Sequence, residues 1–189
     1  MNFLGHLYFS NNNLDLMVAN LFGDFCKGKS YQAYPLETQR GALLHREIDD
    51  YIDNHSEVLA LRQKLYAPLP KVSGIAIDLY FDHLLAKHWQ RFHALTLEDF
   101  LAKFYKHASS INPSYPDEFH HFITKLRESQ WMNYYPSSFG LQKSCEGVSR
   151  RLSFENVLKN APTLLLPYEE ELLKVFLVYM RDAVARFNS

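Results

Sequence analysis

Apolar residues recur at three- and four-residue spacings along almost the whole chain, and that periodicity leaves it little to form except helices. After the asparagines at 11, 12 and 13, the residues Leu14, Met17, Val18 and Leu21 share one helical face. Alternating apolar and polar runs, which a half-buried strand needs, are scarce, and seven glycines in 189 residues offer few hairpin turns. The expected fold class is therefore all-α. The asparagine cluster supplies N-caps for a first helix, which ends near "GDFCKGK", where Gly23 and Gly28 loosen the backbone. A second helix is predicted over residues 37–53 and a short third after Ser56. Pro68 and Pro70 then break the chain before a long helix over 72–92. "TLED", residues 96–99, has the form of a capping box and opens another helix. Pro113 and Pro116 mark a loop, followed by helices over 117–128 and 137–152. The last helix begins at Pro167 with Glu169, Glu170 and Glu171 in its first turn and Arg181 and Arg186 late, the order the helix dipole favours. The prediction is seven or eight helices in one domain over residues 1–189, a length that supports a single core.

Bulk charge narrows the functional classes. A net charge of -1 gives no global drive toward nucleic acid or a membrane surface, so a charged partner must meet a local patch. No apolar run reaches the roughly 18 residues of a membrane span. "MNFLGHLYFS" lacks the basic segment of a secretion signal, and the two cysteines, Cys26 and Cys145, suggest no disulfide framework. A soluble cytoplasmic protein is the expectation.

The informative residues are polar ones on apolar stripes. In "GIAIDLYFDHLL" and its continuation, Ile75, Asp78, Asp82, Leu85 and Trp89 fall on one stripe, with His83 beside it. In "ALLHREIDDYIDNH", His45, Ile48, Asp49 and Ile52 fall on another, while Arg46 and Asp50 face solvent. Asp24 follows Met17 and Leu21 in register, and His6 interrupts the apolar start. Buried carboxylates without partners are costly, so something positive must sit among them: an arginine, a lysine or a metal. A mixed nitrogen and oxygen set suits Mn²⁺, Mg²⁺, Fe²⁺ or Zn²⁺, and the excess of carboxylates favours the harder ions. Arg150 and Arg151 are adjacent in "GVSRRLSFE" and can grip a phosphate. The chain has no P-loop, GxGxxG, GxSxG or HExxH signature, which removes the nucleotide-motor, Rossmann, serine-hydrolase and zinc-protease readings.

Five segments, "MNFLGHLYFS", "ANLFGDFCKG", "LHREIDDYIDNH", "DLYFDHLLAKHW" and "GVSRRL", resemble the acyl carrier protein phosphodiesterases in order and spacing from residue 1 to about 152. The resemblance implies a divergent HD-domain-like phosphohydrolase, although the contiguous His-Asp doublet of HD proteins is missing. It implies hydrolysis of the diester joining 4'-phosphopantetheine to a serine of holo-acyl carrier protein, with Mn²⁺ or a similar ion as cofactor. On this reading Asp24, His45, Asp49, Asp78 and Asp82 are metal ligands or orient them, and Arg150 and Arg151 bind the substrate phosphate. Asp24, His83 and His6 are the catalytic candidates, with His83 or His6 as the proton donor to the leaving oxygen. Carrier proteins are acidic, so docking would use Lys27, Lys29, Arg40, Arg46 and the two arginines, and turnover should fall with salt. The rival readings are an HD-type phosphohydrolase acting on a nucleotide and a non-catalytic helical binding protein whose inward acids are salt-bridged.

Overall fold

Among the described residues the chain forms ten α-helices and no strand: α1 (Phe3–Tyr8), α2 (Leu14–Phe22), α3 (Leu36–Asn54), α4 (Ser56–Leu65), α5 (Ser73–Lys87), α6 (Leu97–His107), α7 (Asp117–Ser129), α8 (Ser138–Arg151), α9 (Ala161–Leu164) and α10 (Glu169–Phe187). The structure, a computed structural model, describes residues 1–188. None of these helices is long and apolar enough to cross a membrane. The all-α expectation holds. Local capping explains several boundaries: the side chains of Asn13, Thr96 and Ser137 accept the N–H of Leu16, Asp99 and Gly140. The predicted long helix is shorter than 72–92. It stops at Lys87 and gives way to a 3₁₀ turn at Trp89–Arg91, with the Trp89 indole N–H donating to the Leu95 carbonyl.

α1 precedes the asparagine cluster, where no helix was expected. Its first-turn N–H groups are satisfied by a carboxylate distant in sequence: Asp82 Oδ2 accepts from Leu4 at 2.8 Å, and Oδ1 accepts from Asn2 and Gly5 at 3.2 and 3.1 Å. Asn11 and Asn12, both at positive φ, then turn the chain into α2.

α5 runs through the centre and is buried on almost every side. Phe81, Phe176 and Tyr179 fill the contact between α5 and α10. α2 lies directly along α3. The two helices approach so closely that a Cβ on Gly41 would stand 2.3 Å from Ala19 Cβ and 2.7 Å from the Asn20 nitrogen. After α2 the chain makes a 3₁₀ turn, Gly23–Phe25. That turn is anchored by Phe22 and Phe25, each with its ring 5.1 Å from Phe119 of α7.

Candidate metal centre

The α2–α3 seam carries the site. His45 and Asp49 stand one turn apart on α3, and His45 Nε2 lies 3.2 Å from Asp49 Oδ2 and 3.2 Å from Asp24 Oδ1. The turn bearing Asp24 can reach His45 because residue 23 is glycine: a Cβ there would lie 2.3 Å from His45 Cγ. α1 adds His6, whose ring stacks on that of His45 with centroids 4.1 Å apart. His6, His45 and Asp49 each offer a donor atom within 4.8 Å of the others.

Hydrogen bonds fix the state of His6. Asn20 donates through Nδ2 to the His6 carbonyl and to Ser10 Oγ, so its Oδ1 is an acceptor. His6 Nδ1 lies 3.0 Å from that oxygen and must carry a proton. Nε2 then faces Asp49 Oδ1 at 3.3 Å and the Met1 carbonyl at 3.1 Å, two acceptors. A second proton on His6 is disfavoured by burial first, then by the neighbouring His45 and the Met1 amino group, which together hold its pKa low against the pull of Asp49. A neutral ring therefore directs a lone pair at two oxygens, an arrangement that a cation between them would satisfy.

His45 differs. Burial alone would lower its pKa, but the Asp24 and Asp49 carboxylates push it up to about 9. Burial alone would raise Asp49, yet the hydrogen bond from His45 and the Met1 ammonium hold it far below the ordinary carboxylate range. With both rings neutral, two carboxylates and one divalent ion balance in charge. The second-nitrogen hydrogen bond that orients a ligating imidazole is present for His6 through Asn20. His45 Nδ1 is buried without a partner among the described residues, and its ring is held by the contact with Gly23.

The remaining predicted residues are divided between the centre and its surroundings. Asp78 lines the same cleft and lies 3.2 Å from the Met1 amino group; burial raises its carboxyl, and the ammonium opposes this. Asp82 does not join the cluster. Both of its oxygens are occupied by the N–H groups of α1, so its inward position on α5 reflects helix capping across the fold. His83 is also elsewhere: its Nδ1 donates to the Tyr135 carbonyl at 2.7 Å. Burial keeps its pKa low, against that hydrogen bond. Neither residue lines the cleft that His6, Asp24, Asp49 and Asp78 share.

Arg150 and Arg151 end α8 and have no ion-pair partner among the described residues. Arg151 lines a depression that includes Asp24 and Lys27. Arg46, expected to face solvent, is instead half-buried. Its Nη2 donates to the Cys26 carbonyl at 2.9 Å and to the Gly28 carbonyl, and its guanidinium lies 4.8 Å from the Tyr31 ring centroid. It thereby ties the segment after Asp24 to α3. Asn20 and Gly23 were missed as site residues, and Arg46 was assigned to docking instead of to holding the segment after Asp24. Only Asn20 left a sequence signal, as the one amide inside the apolar run of α2. The cleft has a volume of about 270 Å³ and is lined by His6, Asp24, Asp49, Asp53 and Asp78.

Comparison with known proteins adds an independent finding. A family model described as "Acyl carrier protein phosphodiesterase" matches residues 1–183. Curated relatives with that same name include one from Enterobacter sp. (strain 638) and one from Shigella boydii serotype 18, each 29% identical over 152 residues, covering 80% of this chain and 79% of the relative. One from Escherichia coli (strain K12 / DH10B) is 28% identical over the same length and coverage. No solved structure matches.

Proposed function

The chain belongs to the acyl carrier protein phosphodiesterase family, and from that premise we propose that it hydrolyses the diester between 4'-phosphopantetheine and a carrier-protein serine. Water adds to phosphorus, the bond from phosphorus to the serine oxygen breaks, and that oxygen leaves with a proton. The products are apo-carrier protein and free 4'-phosphopantetheine. The observation that carries the cation requirement is the lone pair of neutral His6 directed at Asp49, beside the carboxylates that bracket His45.

His6, His45, Asp24 and Asp49 would hold the ion, Mn²⁺ by family resemblance. A divalent ion bound there would polarise the phosphoryl oxygens and acidify water. The protein's own groups do the rest. Arg150 and Arg151 neutralise the phosphate as charge shifts toward the leaving oxygen. Asp24 is 53% exposed and sits on the cleft wall, where it can accept a proton from incoming water. Asp78 lines the same cleft beside the Met1 amino group, 3.2 Å away, and it takes the donor role that the sequence reading gave to His83 and His6. Asp49 and His45, held against Gly23, keep the floor of the cleft fixed while these groups act.

Incubating holo-carrier protein with this protein and Mn²⁺, and following the carrier by mass spectrometry, tests the reading. Loss of the phosphopantetheine mass is expected, with none in Asp49→Asn. An intact holo-carrier after prolonged incubation with metal-loaded protein would refute it.

A further inference from the structure

α8 contains a glycine that the fold does not require. At Gly23, Gly41 and Gly140 a Cβ would stand 2.3, 2.3 and 1.9 Å from a neighbouring atom, so those positions must be glycine for packing. Gly147 has no positive φ and nothing within 4 Å of where its Cβ would project. It occupies a helix interior, where glycine is less favourable than alanine. The fold therefore keeps a space beside Gly147 that it gains nothing from leaving empty.

That space is a trough of about 440 Å³ between α1, α5 and α8. It shares Asn2, Phe3, Leu79 and Val148 with the cleft of the metal centre, so the two lie side by side. Trp131 adds a further apolar surface to that of Phe3 and Leu79. Arg150 and Arg151 supply unpaired positive charge along the α8 side, while Lys143 is paired with Glu146 at 2.8 Å. Lys143 and Arg151 are eight positions apart on α8, roughly 12 Å of helix.

We propose that this trough binds the pantetheine arm of the substrate, an inference that rests on the functional reading above. The arm is an uncharged, partly apolar chain with amide groups, joined at one end to a phosphate. Its chemistry matches a groove with apolar walls, a few polar edges and arginines near the site where the phosphate would react. Gly147 leaves room for the chain to lie against the backbone of α8.

Filling the trough in steps tests this. Turnover of holo-carrier protein is measured for the wild-type protein, Gly147→Ala, Gly147→Leu and Gly147→Trp, with Mn²⁺ affinity as the check that each variant retains the centre. We expect kcat/KM to fall with side-chain volume, by about tenfold or more at Leu and further at Trp, as a sterically filled pocket should. Free 4'-phosphopantetheine should inhibit the wild-type protein at lower concentration than inorganic phosphate or AMP, and Gly147→Trp should abolish that preference. Release of phosphopantetheine by the wild-type protein with no loss in Gly147→Trp overturns the trough alone, as does equal inhibition by the three competitors. Absence of release by the wild-type protein overturns the functional reading and this inference with it.

Discussion

The seam between α2 and α3 and the outer face of α8 both border the cleft, and they are built in opposite ways. Along the seam, glycines let backbone and ring meet with no room to spare: Gly41 against Ala19 and Gly23 against His45. On α8, Gly147 meets nothing. The seam fixes two imidazoles and two carboxylates in one geometry, whereas α8 presents unpaired arginines beside open space. On the proposed reading, the contrast separates a closely packed metal centre from an open surface that takes the substrate.

The sharpest way to break that contrast is to add a side chain to the seam. Gly23→Val would force its methyl groups into the His45 ring. Overpacking of this kind costs about 1–3 kcal/mol, and displacement of His45 should abolish Mn²⁺ binding; thermal unfolding and metal titration measure the two effects. A smaller loss is expected at Asn20→Leu, which removes the acceptor that orients His6. Partners of this kind typically contribute about 10–100-fold to metal affinity, so a calorimetric Kd within twofold of wild type would show that Asn20 does not set the His6 tautomer.

Protons provide a second test of the seam. In the metal-free protein His45 holds its proton up to about 9. Metal must displace that proton, so Mn²⁺ uptake at neutral pH should release one, and affinity should weaken as pH falls. Calorimetry in buffers of different ionisation enthalpy reads this directly. The same shift has a stability consequence. A histidine raised from 6.5 to about 9 on folding stabilises the metal-free protein fully below 6.5, and the contribution disappears as pH rises through 9. Asp49, held low, contributes above the ordinary carboxylate pKa and is lost only in acid. Thermal melts of metal-free protein should therefore decline between pH 6.5 and 9, and Mn²⁺-loaded protein should not follow them.

On the α8 side the expected effects are on substrate and not on the centre. Arg150→Ala and Arg151→Ala should lower kcat/KM for holo-carrier protein while leaving the Mn²⁺ Kd unchanged. Turnover should also fall with ionic strength, since Lys27, Lys143 and the two arginines border the depressions around the cleft. The smallest effect is the most diagnostic of the contrast: Gly147→Ala should stabilise the protein by about 0.5–1 kcal/mol through helix propensity while impairing turnover. Destabilisation would mean that Gly147 is needed by the fold.

What was legible in the sequence follows the range of the interactions involved. α6, α7 and α8 begin at signals contained within a few residues, such as Thr96 and Ser137, and their starts fall within one residue of the spacing-based prediction. The His45 and Asp49 pair was legible because both residues lie on one helix and share its stripe with Ile48 and Ile52. α1 was not: Asn2 caps only the N–H of Phe3, and the N–H groups of Asn2, Leu4 and Gly5 are accepted by Asp82, which is 77 residues from Gly5 in the chain. The same interaction explains why Asp82 resembled a ligand: an inward carboxylate announces a positive partner, and helix N–H groups serve as well as a metal. α5 added to the ambiguity, since a helix enclosed on almost every side makes its stripe a poor guide to what each face meets. Arg46 looked solvent-exposed because its partners, the Cys26 and Gly28 carbonyls, are backbone atoms of another segment and leave no mark in composition.

The central claim is that two imidazoles and two carboxylates of the seam hold one kind of ion. Pulsed EPR of the Mn²⁺-loaded protein tests it most directly, through magnetic coupling between the metal and nearby nitrogen nuclei. The account predicts strong imidazole-nitrogen coupling in the wild-type protein, weakened in His6→Gln and lost together with binding in Asp49→Asn. Tightly bound Mn²⁺ without nitrogen coupling, or with coupling untouched by either substitution, would contradict it.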